Sequence, residues 1–223
     1  MKRVFICFGS MSEVVPDTLI TRQRLLEAAG EVFAERGFHD GTVRDICARA
    51  GANVAAVKYH FGGKNELYSA AVLYAHSCAR KFPIDQGVDS QTSPTQRLRA
   101  FVSAFLMGIL DPGKPAWHGK LMAREMSEPT GVLDQIVSQG MRPRYEMLTS
   151  IVRSIAGDAM PAKTVQLCVN SVVGQMLFYH FARPVLARLQ PEATFDITAL
   201  DELTDHITAF AVGAILARAE ESR

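Results

Sequence analysis

At 223 residues, with 48% hydrophobic and 21% charged content, the chain suits one or two ordinary soluble globular domains with a sizeable core. The formal net charge of +1 excludes a globally basic surface, so any nucleic-acid patch must be local and offset by acidic surface elsewhere. Cys7, Cys47, Cys78 and Cys168 are too scattered for a C-x-x-C zinc site or a disulfide framework, and free thiols fit a reducing cytosol.

Residues 1–16 are expected to be a tail. Lys2 and Arg3 followed by Val4 to Phe8 superficially resemble a signal peptide. The apolar stretch is too short and no small-residue cleavage pattern follows, so Met11 reads as the natural start. No apolar run approaches the roughly 20 residues of a membrane span. The pattern after the tail is helical nearly throughout. Leu25, Leu26, Ala29, Val32 and Phe33 recur at helical spacing, and Gly37 ends that helix with Phe38 folding back on it. Thr42 opens the next helix, with Asp45 three residues on in a capping-box arrangement, and Gly51 ends it. Asn53 caps a third helix whose Val54 and Val57 are expected to point inward. After the Gly62-Gly63 turn, Lys64 opens a longer helix to about Lys81.

Pro83 to Thr92 reads as a polar linker, and Ser93-Pro94 restarts a helix that stops at Asp111-Pro112-Gly113. Further helices are expected from Ala116 to Ser127 and up to Ile155, the second bent near Gly140 and Pro143. Pro161 begins a helix that is apolar on almost every side and is limited by Pro184. The last helix starts near Asp196. No strand or repeat emerges. The fold class is all-α: a helix-turn-helix domain over 17–63, then a helical ligand-binding and dimerisation domain over 64–223 with the linking helix 64–81.

The stretch Thr42 to Lys64 carries the functional signal. In a helix-turn-helix the second short helix enters the major groove. Ala55 and Ala56 allow close approach to base edges, where a thymine methyl can meet them, and Lys58 can reach a guanine or a phosphate. Tyr59 and His60 can donate to phosphate oxygens while their rings support Phe61 in the core. Lys64 stands at a helix N-terminus, where a cation is unfavourable unless an anion such as a phosphate also sits there. Thr42 and Arg44 occupy the equivalent place on the preceding helix.

These residues resemble the tetracycline-repressor (TetR) family. The resemblance runs through Thr21-Arg22, Leu25-Leu26-Glu27-Ala28-Ala29, Phe33-Ala34-Glu35-Arg36-Gly37-Phe38, Thr42-Val43-Arg44-Asp45-Ile46, Ala50-Gly51, Tyr59-His60-Phe61, Lys64, Glu66 and Leu67. It implies an all-helical homodimer, usually a repressor released from double-stranded operator DNA by a small molecule. By position it makes Thr42, Tyr59, His60 and Lys64 phosphate contacts and places Arg44, Ala55, Ala56 and Lys58 toward the groove, with Asn53 among the DNA-binding residues. The family's usual Ser/Thr-Lys-Gly-Thr-Leu before the aromatic pair is replaced here by Asn53-Val54-Ala55-Ala56-Val57-Lys58, which suggests fewer hydroxyl contacts and more apolar readout.

A second resemblance lies in Trp117-His118, in Arg124-Glu125-Met126-Ser127-Glu128-Pro129-Thr130 and in Arg142-Pro143. It is to a TetR subfamily of cephalosporin- and chloramphenicol-response regulators, CecR-like. Independently, Phe101, Phe105, Trp117, Leu121, Met122, Met126, Tyr145, Met176, Phe178 and Tyr179 supply apolar surface at helical spacings. His118, Arg124, Glu125, Gln175 and His180 are polar groups on the same helices. A mostly apolar cavity with a few polar groups is what a small-molecule site requires. The expected pocket is Phe105, Trp117, His118, Leu121, Met122, Glu125, Tyr145, Met176, Tyr179 and His180, and for each the alternative is ordinary core. The last two helices suit a four-helix bundle between two chains.

The rival classes are an enzyme and a protein-binding adaptor. No H-E-x-x-H, phosphate-binding Gly-rich loop or G-x-S-x-G elbow occurs. No catalytic residue, metal site or cofactor is expected. The reading is a cytoplasmic, ligand-responsive transcriptional regulator with operator DNA, a second copy and an unidentified effector as partners.

Overall fold

The computed structural model describes residues 17–84, 89, 91–193 and 196–222. The expected tail, with Cys7 and Met11, lies outside them, as do residues 85–88 and 90 of the expected linker. The described residues are helical with no strand. Contacts divide the chain into a unit ending at Ala71 and a unit starting at Val72.

The first unit begins with α1 (Asp17–Asp40), α2 (Val43–Ala50) and α3 (Val54–Phe61), and takes in the opening turns of α4 (Lys64–Ala79). The helix of α1 is interrupted at Gly37, whose φ of 82° suits glycine. Thr42 caps α2: its Oγ1 accepts from the Asp45 amide at 3.1 Å and donates to the Asp45 carboxylate at 2.7 Å. Gly51 closes α2 in the left-handed region. Asn53 caps α3 by accepting from the Ala55 amide at 3.0 Å. The core of this unit is Leu25, Ala29, Val32 and Phe33 from α1, Ile46 and Cys47 from α2, Val57 from α3, and Leu67, Tyr68 and Ala71 from α4. The Tyr68 ring meets the edges of Phe33 and Phe38 at 5.1 and 5.0 Å between centroids. These contacts assign the first half of α4 to this unit, where a boundary before Lys64 was expected.

Val54 corrects the sequence reading, because it is 52% exposed and only Val57 of α3 is buried. Cα–Cβ bonds tilt toward a helix's N-terminus, so the side chain of the first helical residue overhangs the open end instead of joining the inner stripe. Phe61 is half-buried, not core, and the Arg22 guanidinium lies 4.9 Å above its ring.

The second unit holds the end of α4, then α5 (Pro94–Leu110), α6 (Ala116–Ser127), α7 (Val132–Ile136), a π-helical turn (Val137–Met141), α8 (Arg142–Ala156), α9 (Ala162–Phe181), α10 (Arg183–Leu189) and α11 (Leu200–Glu220). Ser93 and Gln96 form a complete capping box at α5. The expected bend near Gly140 is the π-helical turn, and a buried Gly140 lies against the His76 ring. Leu98, Phe101 and Leu106 of α5, Leu148 and Val152 of α8, Val169 and Met176 of α9, and Ile207 and Ile215 of α11 form one core. Among the described residues Cys47, Cys78 and Cys168 form no disulfide.

Candidate DNA-reading face and internal cavity

In the first unit, α3 turns Ala55, Lys58 and Tyr59 outward, Tyr59 with 79% exposure. Ala56 and His60 are half-buried. The His60 ring stands edge-on to Tyr59 at 4.9 Å and to Phe61 at 6.4 Å. Arg44 at the start of α2 is exposed. Among the described residues neither Arg44 nor Lys58 has a carboxylate partner, whereas Arg36 pairs with Asp45 at 2.8 Å and Arg49 with Glu35 at 2.8 Å. Arg44 and Lys58 are therefore exposed cations free of a carboxylate in this unit, although the chain as a whole is nearly neutral.

Two expected phosphate grips have internal work. The Thr42 hydroxyl chiefly holds the Asp45 carboxyl below the usual carboxylate range, against the opposing effect of desolvation and with the Arg36 charge adding to it. The Lys64 ammonium donates to the His39 carbonyl at 3.0 Å and lies 4.9 Å over the Phe38 ring. Glu66 in the same first turn answers the helix dipole, with its carboxylate beside Gly63. Lys64 thus needs no external anion to explain its place. What remains for a phosphate at these two positions is the backbone N–H groups of the helix starts.

The second unit holds a partly open cavity of about 610 Å³, within the range of small-molecule sites. Phe101, Phe105, Met122, Leu148, Val173 and Leu177 give it apolar walls. Three histidines reach it. His118 is only 5% exposed, and neither of its ring nitrogens has a hydrogen-bond partner. Burial first, and then the Lys114 charge, lower its pKa from the ordinary 6.5 to about 4, so the ring is neutral at pH 7. His76 is lowered to about 4 by burial and by Arg80 and Arg144. His180 is lowered by burial, an effect countered by the Ile109 backbone and reinforced by Arg183 and Lys114; its Nδ1 is unpartnered.

Known proteins resemble the chain over both units. Residues 25–71 match the family of bacterial regulatory proteins named tetR, and residues 94–215 match the C-terminal domain of the HTH-type transcriptional dual regulator CecR. The chain belongs to the TetR family, with a CecR-type C-terminal domain. It is 24% identical to the dual regulator CecR of Shigella flexneri over 84% of this chain and 87% of that protein. Over 38% of each chain it is 42% identical to the transcriptional activator FasR of Mycolicibacterium smegmatis. Among solved structures, a transcriptional regulator from Pseudomonas aeruginosa PAO1 superposes with a TM-score of 0.66 at 20% identity, covering 91% of this chain and 93% of that one. The hemolysin II regulator HlyIIR gives 0.60 at 21% identity, covering 86% and 99%. The chain is a DNA-binding transcriptional regulator.

In this TetR-family regulator five of the expected pocket residues line the cavity: Phe105, His118, Met122, Tyr145 and His180. Trp117, Leu121, Glu125, Met176 and Tyr179 do not. Leu121 and Met176 are buried in packing, Trp117 lies against Tyr74, and Tyr179 packs on the main core. Glu125, with 0% exposure, accepts from the Thr130 amide at 2.8 Å and the Thr130 hydroxyl at 2.9 Å, which ties down the turn after α6. The sequence reading passed over the cavity's basic members, Arg80, Lys114, Arg144 and Arg183, and also His76. Arg80 and Lys114 lie just outside helices and Arg183 at the start of one, so helical spacing could not assign them a face. No helix among the described residues is long and apolar enough to cross a membrane.

Proposed function

We propose that the chain works as a cytoplasmic homodimer that holds a palindromic operator while the cavity is empty and releases it when a small molecule enters. The cavity carries this reading, because an apolar chamber with an unpartnered buried histidine is built for a guest. Arg44, Ala55, Ala56 and Lys58 face the groove in this reading. Tyr59 and His60 take phosphates through their side chains, and Thr42, Asn53 and Lys64 order the helix starts whose amides meet the backbone.

Dimerisation is supported by apolar surface on α9 and α11. Leu167, Phe178, Phe210 and Leu216 are all exposed. Gly174 and Gly213 have open space where a Cβ would stand, which allows another helix to approach closely. Two copies would present recognition helices to successive major grooves, roughly 34–36 Å apart. The cavity can be coupled to DNA through α4, which contributes Ala75 and His76 to the cavity and Leu67 and Tyr68 to the first unit's core. Typical couplings are about 1–3 kcal/mol, and near-complete switching needs about 5.5 kcal/mol.

A gel shift on the chain's own upstream DNA tests the reading, paired with sedimentation of the free protein. A shifted band, a dimer mass and loss of the band with a cavity ligand are expected. A monomer, or no enriched palindrome in a random-oligonucleotide selection, would overturn it. A ligand that tightens the complex would reverse the sign of the coupling and remove the repressor-release mechanism.

A further inference from the structure

The cavity carries an excess of one charge. Arg80, Lys114, Arg144 and Arg183 line it, against Asp111 as the single acidic lining residue. Among the described residues none of the four cations is within ion-pair distance of a carboxylate. Their hydrogen bonds go to neutral backbone oxygens instead. Arg80 donates to the Gln139 carbonyl at 3.3 Å, Arg144 to the Phe82 carbonyl at 3.5 Å, and Lys114 to the Gly108 carbonyl. The Asp111 carboxylate accepts from the Gly113 amide at 2.8 Å.

These cations also act on one another. Burial pushes Arg144 down and Arg80 adds to the effect; burial pushes Lys114 down, opposed by the Asp111 charge and by Cys78, with Lys81 and Arg144 adding smaller downward contributions. Lys114 and Arg144 are the partly buried pair, Arg80 and Arg183 being exposed. Partly buried like charges with no ion-pair partner are costly, and natural proteins pair them or bind something of opposite sign. A carboxylate accepts from several cationic donors at once, and such bonds are among the stronger ones available to a ligand. Beyond the cations the wall is apolar, so the rest of the ligand must be apolar too. His118 lies in that wall as a neutral ring able to donate from one nitrogen and accept at the other.

We propose that the effector is an amphipathic organic anion, with a carboxylate head held by Arg80, Lys114 and Arg144, an apolar body against Phe105 and Met122, and a polar group on that body paired with His118. The assignment rests on reading the cavity as the effector site.

The test uses the full-length chain and two matched pairs of probes: decanoic acid with decanamide, and 2-naphthoic acid with 2-naphthamide. Binding is measured by calorimetry at pH 7. At least one acid is expected to bind tenfold or more tightly than its amide, and the pair that discriminates tells an aliphatic from an aromatic body. Arg144→Met and Lys114→Met are each expected to remove most of that preference while leaving amide binding within threefold. The ligand-free melting temperature of each is expected to stay level or rise, since each removes a partly desolvated cation. Lys114→Met carries the test if the Arg144 variant does not fold. Met122→Trp, which fills the chamber, is expected to abolish binding of every probe. If amides bind as tightly as acids and Met122→Trp blocks both, the anion assignment is wrong and the cavity reading stands. If no probe binds, or binding ignores Met122→Trp, the cavity reading itself is wrong.

Discussion

Gly140 offers a direct measurement of how tightly the cavity wall is packed. An added Cβ there would fall 2.1 Å from His76 Cε1, 2.9 Å from Nδ1 and 3.0 Å from Nε2, in effect on the imidazole ring. Carbon atoms rest about 3.5–4 Å apart, so the ring must shift by well over ~1 Å. His76 is partly buried and lines the cavity between the Arg80 and Arg144 charges, which limits where it can go. Overpacking of this kind costs about 1–3 kcal/mol. Alanine would return up to ~1 kcal/mol, because Gly140 has no positive φ and lies in a helical turn. Gly140→Ala alone should therefore destabilise the protein by about 1–2 kcal/mol, with a drop of roughly 2–4 °C in melting temperature per kcal/mol. In a His76→Ala background the obstruction is gone, and the same change should stabilise by about 0.5–1 kcal/mol. Urea denaturation of all four proteins gives the coupling, expected at about 2 kcal/mol. A coupling below about 0.5 kcal/mol, the range of independent sites, would refute the packing argument.

Three other outcomes follow from single side chains. Lys58→Ala should change the preferred base at one operator position in a selection experiment; an equal loss on all sequences would reassign it to the backbone. Glu125→Gln should lower stability, because it weakens the acceptor for two Thr130 donors, but should leave probe and operator affinity unchanged; altered ligand selectivity would return Glu125 to the pocket. His118 contributes a pH dependence of definite sign. Its folded pKa of about 4 lies below the ordinary 6.5, so the unfolded chain binds the extra proton first. Stability linked to this group is present above pH 6.5 and is lost as pH falls toward 4. His118→Phe should flatten the stability profile in that window, and an unchanged profile would contradict the buried neutral ring.

The first unit was legible because its signals are local. Gly37, Thr42, Gly51, Asn53 and Gly62 each fix a helix end through a backbone conformation or a cap, and each acts within a few residues. Val54 was misread because apolar spacing says which side of a helix a residue occupies, not whether the core extends to that end. The cavity was half legible. Phe105, Met122 and Tyr145 belonged to helices whose pattern could be read, but the same pattern also gathered Leu121 and Met176, which lie on the packed side. Periodicity cannot separate a wall that faces a void from one that faces another helix. The cations were missed for another reason. Arg80, Lys114, Arg144 and Arg183 come from four separate places in the chain, and only tertiary folding brings them to one chamber.

Both proposed sites turn on cations that the fold leaves without carboxylates, and they differ in exposure. Arg44 and Lys58 stand in solvent, where ionic strength screens them beyond a Debye length of about 8–10 Å. Each phosphate they neutralise releases counterions, so operator affinity should fall steeply with salt. Lys114 and Arg144 are half-buried in an apolar chamber, where screening is weaker and an anion's affinity should change little over the same range. A near-neutral chain can thus hold two anion sites with separate salt responses. In the proposed switch the effector's charge is used inside the second unit, not in competition with DNA for the same cations. Binding of the two is then linked only through a change in the protein, which makes the coupling reciprocal: operator DNA should weaken the effector by the factor by which the effector weakens operator DNA. Direct competition for a shared cationic surface would instead make the effector's apparent affinity fall without limit as DNA is added.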